Sequence, residues 1–410
     1  MTGDNSEMTP DDRRRLGLLA GQAFTPGPPV RGAEEFAGRD DQLQQVSDAI
    51  GTPGRSVLIY GERGVGKTSL ANVIDELYRQ ISGERICSPS ISCDSDDTFD
   101  SIWKRVFRAA ASTVEEPLSE RVTHQLHDAL DVAISLTSHD VCRLATIVTQ
   151  AHLFIPVIDE LDRVPNTHVL TVMTDTIKQL SDHVPSATVV LVGVADEVDE
   201  LLAAHKSIER AIEQVLMPRM PPDETLEILA KGAAITGIEF EPDASSLITK
   251  IAMGLPHHAH LLGLNATRAA LEAGSSCVRA DDVHLGLDRA IKGRQHTLMK
   301  AYDDATTSPR PDNLYRQALL ACALAETDQL GYFTAAGVRD PMTAIMGEPY
   351  DIPNYTQHLA QFCEQGRGPV LHRIGAKRRY RYRFANALLQ PFVVMHGLKE
   401  GWISEEDLRG

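Results

Sequence analysis

The chain of 410 residues has no apolar run near the roughly 20 residues that a membrane-crossing helix requires, so no membrane role is expected. Its first residues, Met1 to Arg15, are polar and acidic with no apolar stretch among them, which argues against a secretory leader. Cysteines are few and scattered (Cys87, Cys93, Cys142, Cys277, Cys322 and Cys363), and none stands in a C-x-x-C pair. A disulfide framework is therefore excluded and metal-binding spacing is absent; reduced, mostly buried thiols in a cytoplasmic protein are the expectation. Positive charge is also scarce, with 40 Lys and Arg against 57 Asp and Glu, a formal net charge of −17. The surface as a whole does not attract polyanions, so any contact with nucleic acid has to come from a local basic patch. No internal repeat is visible. With 42% apolar and 24% charged residues, the composition is that of a folded chain. One core seldom grows past about 300 residues, so at least two packing units are expected.

Residues 1–35 read as a flexible tail, with the run Thr25-Pro26-Gly27-Pro28-Pro29 and no sustained periodicity. From residue 36 to about 220, short apolar runs alternate with amphipathic stretches of helical length. The runs are Val57–Tyr60, Ile86–Ser92, Leu153–Ile158, Val189–Val194 and Val215–Met217. That alternation predicts an α/β domain with a parallel sheet covered by helices. Residues 221–305 read as almost entirely helical, and residues 310–410 as helices followed by a hairpin.

Gly61-Glu62-Arg63-Gly64-Val65-Gly66-Lys67-Thr68 fits the pattern G-x-x-x-x-G-K-[ST], with Ser69 next. The apolar run ending at Tyr60 precedes it, and Leu70, Val73, Ile74 and Leu77 give a helical stripe after it. Glycines let the backbone wrap closely, so successive N–H groups face a phosphate. The helix N-terminus adds its positive dipole end at the same place. Lys67 supplies a mobile cation for the β- and γ-phosphates, and the Thr68 hydroxyl suits Mg²⁺. The plain alternative is a glycine-rich strand-to-helix turn with a chance lysine.

Leu153-Phe154-Ile155-Pro156-Val157-Ile158-Asp159-Glu160 is an apolar strand that ends in two carboxylates. The carboxyl ends of parallel strands are where α/β proteins place ligands. Asp159 is expected to hold the Mg²⁺ shell opposite Thr68, and Glu160 to orient and polarise an attacking water. Both residues could instead be a solvated strand end. Pro156 cannot donate a ladder bond, so a local bulge or a lost bond is expected there.

These residues resemble those of AAA+ P-loop ATPases. The similarity is greatest to the initiator-type branch, which includes origin-recognition and transposon-associated ATPases, and it extends to the related STAND-type signalling ATPases. The resemblance implies an AAA+ core over 36–220, a helical lid over 221–305 and a winged-helix domain over 310–410. Phe36-Ala37-Gly38-Arg39-Asp40 is similar to the family's F-x-G-R element beside the adenine, with Val30 and Phe36 against the base. The strand Val189–Val194 resembles the family's fourth core strand, whose tip carries a polar sensor. Asp196 is the nearest candidate, although an anion there would repel a γ-phosphate. Ser207–Pro218 resembles the segment carrying the arginine finger, which makes Arg210 the expected finger, acting on a neighbouring copy's ATP, with Arg219 and Arg163 as rivals. An ion pair of Arg210 with Glu209 or Glu213 is the structural alternative. A finger acting in trans implies a homo-oligomer.

Gly254-Leu255-Pro256-His257-His258-Ala259-His260 resembles the start of the lid helix that carries the second sensor. His257 stands where the family usually has arginine. A neutral imidazole lacks a permanent charge, so slow, switch-like hydrolysis is expected. Metal binding by His257 and His260 has no nearby cysteine or carboxylate cluster to support it.

In the hairpin, period 2 places Tyr380, Tyr382 and Phe384 on one face and Arg379, Arg381 and Arg383 on the other, after a turn at Ala376-Lys377-Arg378. Residues 310–410 carry 12 Lys and Arg against 11 Asp and Glu, net +1, which leaves −18 for residues 1–309. Arg378, Arg379, Arg381 and Arg383 are the candidate phosphate contacts for duplex DNA. The same arginines could simply be a solvated edge that blocks strand aggregation, or could face an acidic protein. The expected function is an ATP- and Mg²⁺-dependent ATPase that couples nucleotide state and oligomerisation to DNA. The alternatives are a signalling or defence switch acting on an effector protein, and a scaffold with no turnover.

Overall fold

The run before the glycine-rich loop forms strand β1 (Ser56–Gly61), in which Val57, Leu58 and Ile59 are no more than 2% exposed. A strand apolar on both faces requires cover on both faces, the signature of a parallel sheet between helices. The structure, a computed structural model, describes residues 8–112, 117–194, 208, 210–293, 296–309, 313–376 and 379–408. The chain divides into two compact units. The first comprises Pro29–Gly61 and Gly66–Met217, and the second comprises the segment up to Pro28, Glu62–Val65 and the chain from Pro218 onward.

In the first unit, β1 lies between β6 (Val190–Val194) and β7 (Ile212–Met217), and β6 continues the sheet to β5 (Val157–Asp159) and β3 (Ser90–Ser92). All four pairings are parallel, with Leu58 opposite Leu191 and Gln214, and Ile158 opposite Leu191 and Ile91. Helices α2 (Asp40–Ile50), α3 (Lys67–Ser82), α4 (Phe99–Ala111), α5 (Glu120–Val132), α6 (Ser138–Val148) and α7 (Thr167–His183) complete the layers. One core links Trp103 and Phe107 of α4 to Phe154, whose ring stacks on Phe107 at 5.7 Å.

The expected break at Pro156 is present. The run divides into β4 (Leu153–Phe154) and β5, and its partner divides into β2 (Ile86–Cys87) and β3. β2 pairs with β4 alone, outside the five-stranded sheet. A proline stands at each break, Pro89 in one run and Pro156 in the other, and each still accepts through its carbonyl.

The second unit corrects the expectation of a flexible tail over its described part. Residues Pro10–Ala23 form a helix, α1, with Thr9 as a capping box and Pro10 in the first turn. The Asp12 amide donates to Thr9 Oγ1 at 3.2 Å and the Asp12 carboxylate accepts from the Thr9 amide. Ala20 and Phe24 are fully buried. Helices follow at Pro222–Thr236, Pro242–Ala252, Pro256–Glu272, Ala280–Gly293 and His296–Thr306. Further on, helices Tyr315–Leu324, Arg339–Met346 and Ile352–Gln361 precede an antiparallel pair, β9 (Leu371–Ile374) and β10 (Arg381–Phe384). The short strand β8 (Phe333–Thr334) adds to the other edge of β10, and a buried helix, Leu389–Lys399, closes this region. Among the described residues no helix is long and apolar enough to cross a membrane.

Candidate functional site

Helix α3 starts at Lys67, immediately after Gly66, whose φ of +99° is a left-handed conformation that glycine adopts without strain. Its first N–H groups have no partner within the helix, which makes this end a ready anion site. At the other end of the loop, a Cβ on Gly61 would lie 2.4 Å from the Met217 carbonyl oxygen, so only glycine fits. Lys67 Nζ donates to the Gly61 carbonyl at 3.1 Å, which places the ammonium across the loop mouth.

Thr68 Oγ1 donates to Asp159 Oδ2 at 2.7 Å, and Asp159 Oδ1 accepts from the Glu160 amide at 2.7 Å. Two segments 91 residues apart are thereby joined. Burial pushes the Asp159 carboxyl up, although the Thr68 and Glu160 hydrogen bonds and the Lys67 charge oppose the shift. A hydroxyl and a carboxylate side by side are hard oxygen donors. They suit Mg²⁺, which takes the rest of its shell from phosphate oxygens and water. Among the described residues there is no cluster of three or more His, Cys, Asp or Glu that could hold a metal alone. All six cysteines are free.

Glu160 has φ +53°, a left-handed conformation that a residue with a Cβ adopts at some cost. Its carboxylate is half exposed beyond the strand end and accepts from Arg163 Nη1 at 3.0 Å. Arg163, a rival for the finger role, is thus held on the same chain's acid. Arg210 is exposed, two residues before β7, and Asp196 lies outside the described residues.

Val30 is fixed beside this helix. Its amide donates to Ser69 Oγ at 3.2 Å and its carbonyl accepts from Asn72 Nδ2 at 3.2 Å. The Ala33 amide donates to Glu76 Oε2 at 3.0 Å, and Phe36 is nearly buried. Sequence reasoning missed Asn72 and Glu76. Their spacing from Ser69, three and seven residues, puts all three on one face of α3, and that was the available signal.

Glu62, Arg63, Gly64 and Val65 belong to the second unit, where Glu62 is 3% exposed and bonded to Arg219. Arg219, the other rival finger, is therefore engaged inside its own chain. His257 Nδ1 is hydrogen-bonded to the Pro26 carbonyl, so it is the donor nitrogen. Burial holds its pKa down, which favours the neutral ring. In that tautomer Nε2 is an acceptor and cannot donate to a phosphate, unlike the arginine that the resemblance implies.

The hairpin differs from its period-2 expectation at one position. Arg379 and Arg381 are exposed, but Arg383 is 7% exposed and packs over the Tyr332 ring at 4.7 Å, with Nη1 at 3.5 Å from the Leu330 carbonyl. The segment 328–332 covers that face, so Arg383 is not a phosphate contact. Arg381 Nη1 donates to Asp328 Oδ2 at 3.0 Å. Arg378 lies outside the described residues. Arg373, which sequence reasoning also missed, is exposed beside the Tyr380 ring at 4.5 Å.

Residues 35–201 match the family model described as AAA ATPase domain. No curated protein matches the sequence. Among solved structures, the chain is similar to the Aeropyrum pernix ORC2 protein, solved as ADPNP-ADP complexes, with a TM-score of 0.54 and 15% identity. That match covers 93% of this chain and 98% of the other. It is also similar to the Walker-type ATPase PABY2304 of Pyrococcus abyssi, with a TM-score of 0.52 and 15% identity, covering 90% and 98% of the two chains.

Proposed function

We propose that the chain, whose residues 35–201 match an AAA ATPase domain and whose fold is similar to that of the ORC2 protein, binds ATP with Mg²⁺ at residues 61–69 and hydrolyses it at a slow rate. We propose further that nucleotide state governs engagement of DNA by a C-terminal winged-helix module. The observation that carries the ATPase reading is the 2.7 Å bond between Thr68 and Asp159, with Lys67 and Glu160 each one residue away. In this reading the loop amides and Lys67 bind the β- and γ-phosphates. Thr68 and Asp159 would hold Mg²⁺, which would supply charge neutralisation to the phosphates. Glu160 turns from Arg163 to hold the attacking water and accept its proton. Arg210 of a neighbouring copy stabilises charge on the transferred phosphoryl group, which makes a homo-oligomer the active form. Val30 and Phe36 flank the base. His257, a neutral acceptor at Nε2, gives no second cationic contact, in keeping with slow turnover.

The test is phosphate release with ATP and Mg²⁺. Glu160→Gln is expected to bind ATP as the parent does while turnover falls about 100-fold or more, the usual worth of a positioned general base. Lys67→Ala is expected to lose binding. Equal turnover in parent and Glu160→Gln would remove Glu160 from the chemistry. No turnover in either, with binding intact, would leave a nucleotide-dependent scaffold.

The order helix, short strand, two helices, hairpin over 315–384 supports the winged-helix reading. One observation favours the second reading, a signalling or defence switch that acts on an effector protein. Two of the four candidate arginines, Arg381 and Arg383, are already engaged by Asp328, Tyr332 and Leu330.

A further inference from the structure

The second residue of the phosphate loop is a buried acid, and a triphosphate is an anion. Glu62 is 3% exposed, and its carboxylate accepts from Arg219 Nε at 2.7 Å and from Arg219 Nη2 at 3.3 Å. The same Nη2 donates to Gln390 Oε1 at 2.7 Å, and Gln390 Nε2 donates to the Ala323 carbonyl at 2.8 Å. Gln390 is itself 1% exposed, on the helix Leu389–Lys399. All of these groups belong to the second unit.

The packing leaves this arrangement little freedom. A Cβ on Gly331 (φ +77°) would lie 1.7 Å from Glu62 Oε1. A Cβ on Gly254 would lie 2.9 Å from Arg219 Cβ and 2.5 Å from the Met220 carbonyl. Glycine is thus required on the acid's side and on the arginine's side. Arg219 has one short run of backbone between the last core strand, ending at Met217, and the helix starting at Pro222.

We infer that Arg219 is a positioning residue for nucleotide binding: it cancels the charge of Glu62 within the phosphate loop and anchors that residue to Gln390. Without Arg219, a buried carboxylate in the loop that has to accept the phosphates loses its guanidinium counter-charge, and it both repels them and pulls the loop toward water. A guanidinium is needed because its fork reaches the carboxylate and the Gln390 amide at once; an ammonium cannot span both. The inference rests on the reading of residues 61–69 as the ATP site.

Calorimetric titration of the full chain with ATP and Mg²⁺ separates the two. Loss of binding in Lys67→Ala is required first; if Lys67→Ala binds as the parent does, the ATP-site reading fails. Given that loss, Arg219→Ala is expected to bind at least tenfold more weakly than the parent, and Glu62→Ala/Arg219→Ala to return to within threefold of it. Recovery on removing the acid is an outcome that a merely structural arginine would not give. Binding by Arg219→Ala within twofold of the parent, or a double variant as weak as the single one, overturns the inference. If Arg219→Ala does not fold, Arg219→Gln with and without Glu62→Gln runs the same cycle with the same criteria.

Discussion

Two histidines at the start of the helix Pro256–Glu272 hold a chain segment, and one of them, His260, does so only while it is neutral. The Thr25 amide donates to His260 Nδ1 at 3.3 Å, and His257 donates to the Pro26 carbonyl. Burial pushes His260 down to about 4 and His258 well below its ordinary range. Above pH 6.5 the folded and unfolded chains both carry neutral rings, and these groups add no pH dependence. Below it the unfolded chain takes up protons that the folded chain refuses until about pH 4, so stability falls as pH falls through this window. His260 alone removes roughly 1.4 kcal/mol per pH unit below 6.5. Urea melts at pH 7.5 and 5.5 are expected to show the loss, and His260→Asn, which keeps an acceptor for Thr25 without titrating, is expected to reduce it. An undiminished loss in His260→Asn would assign the effect elsewhere. At this scale the sequence was legible where chemistry is local. Lys67 and Thr68 sit in one motif, and Asp159 and Glu160 end one apolar run, so spacing alone located them. The Val30 backbone contacts to Ser69 and Asn72, and the bonds of Arg219 to Glu62 and Gln390, join groups 39 to 171 residues apart. No periodicity encodes such pairs.

The helix α1 shows why an element can escape a sequence reading. It buries only Ala20 along its length, so no apolar stripe marks it. Its anchor is Phe24, one residue past the helix, which packs where a Cβ on Gly232 would lie 2.1 Å from its ring and one on Gly263 would lie 2.7 Å. Two glycines on separate helices make room for one aromatic ring. Phe24→Ala is expected to cost about 3–5 kcal/mol, the usual loss for a buried aromatic, as read by denaturant melts. Gly232→Ala is expected to destabilise by about 1–3 kcal/mol through overpacking, and the double variant by less than the sum of the two. Full additivity would show that the ring and the glycine are not in contact. The strands were more legible, because continuous apolar runs and Pro156 carry direct steric meaning. The hairpin was legible on its aromatic face, where Tyr382 and Phe384 are buried as period 2 requires. It was misread at Arg383, because a loop from elsewhere in the sequence covers that side.

For the whole molecule, charge decides between the two partner classes. A body with a net charge of −17 disfavours DNA everywhere except at a patch that faces the phosphates directly. Among the described residues of the hairpin, Arg373, Arg379 and Arg381 are exposed, and Arg381 would have to leave Asp328. Three phosphate contacts release few counterions, so log K is expected to fall against log salt with a slope of about −3. Arg379→Ala is expected to lower the magnitude of that slope by about one. Arg383→Ala is expected to leave the slope unchanged while lowering the melting temperature, because its guanidinium packs inside the fold over Tyr332. Fluorescence anisotropy with a duplex at several salt concentrations, with ATP present, reads all three. A slope that Arg379→Ala leaves unaltered would take the hairpin out of DNA recognition. Absence of duplex binding even at about 50 mM salt would favour the effector-protein reading, because an acidic body that cannot hold a polyanion with its hairpin arginines is better suited to a protein surface of matched charge.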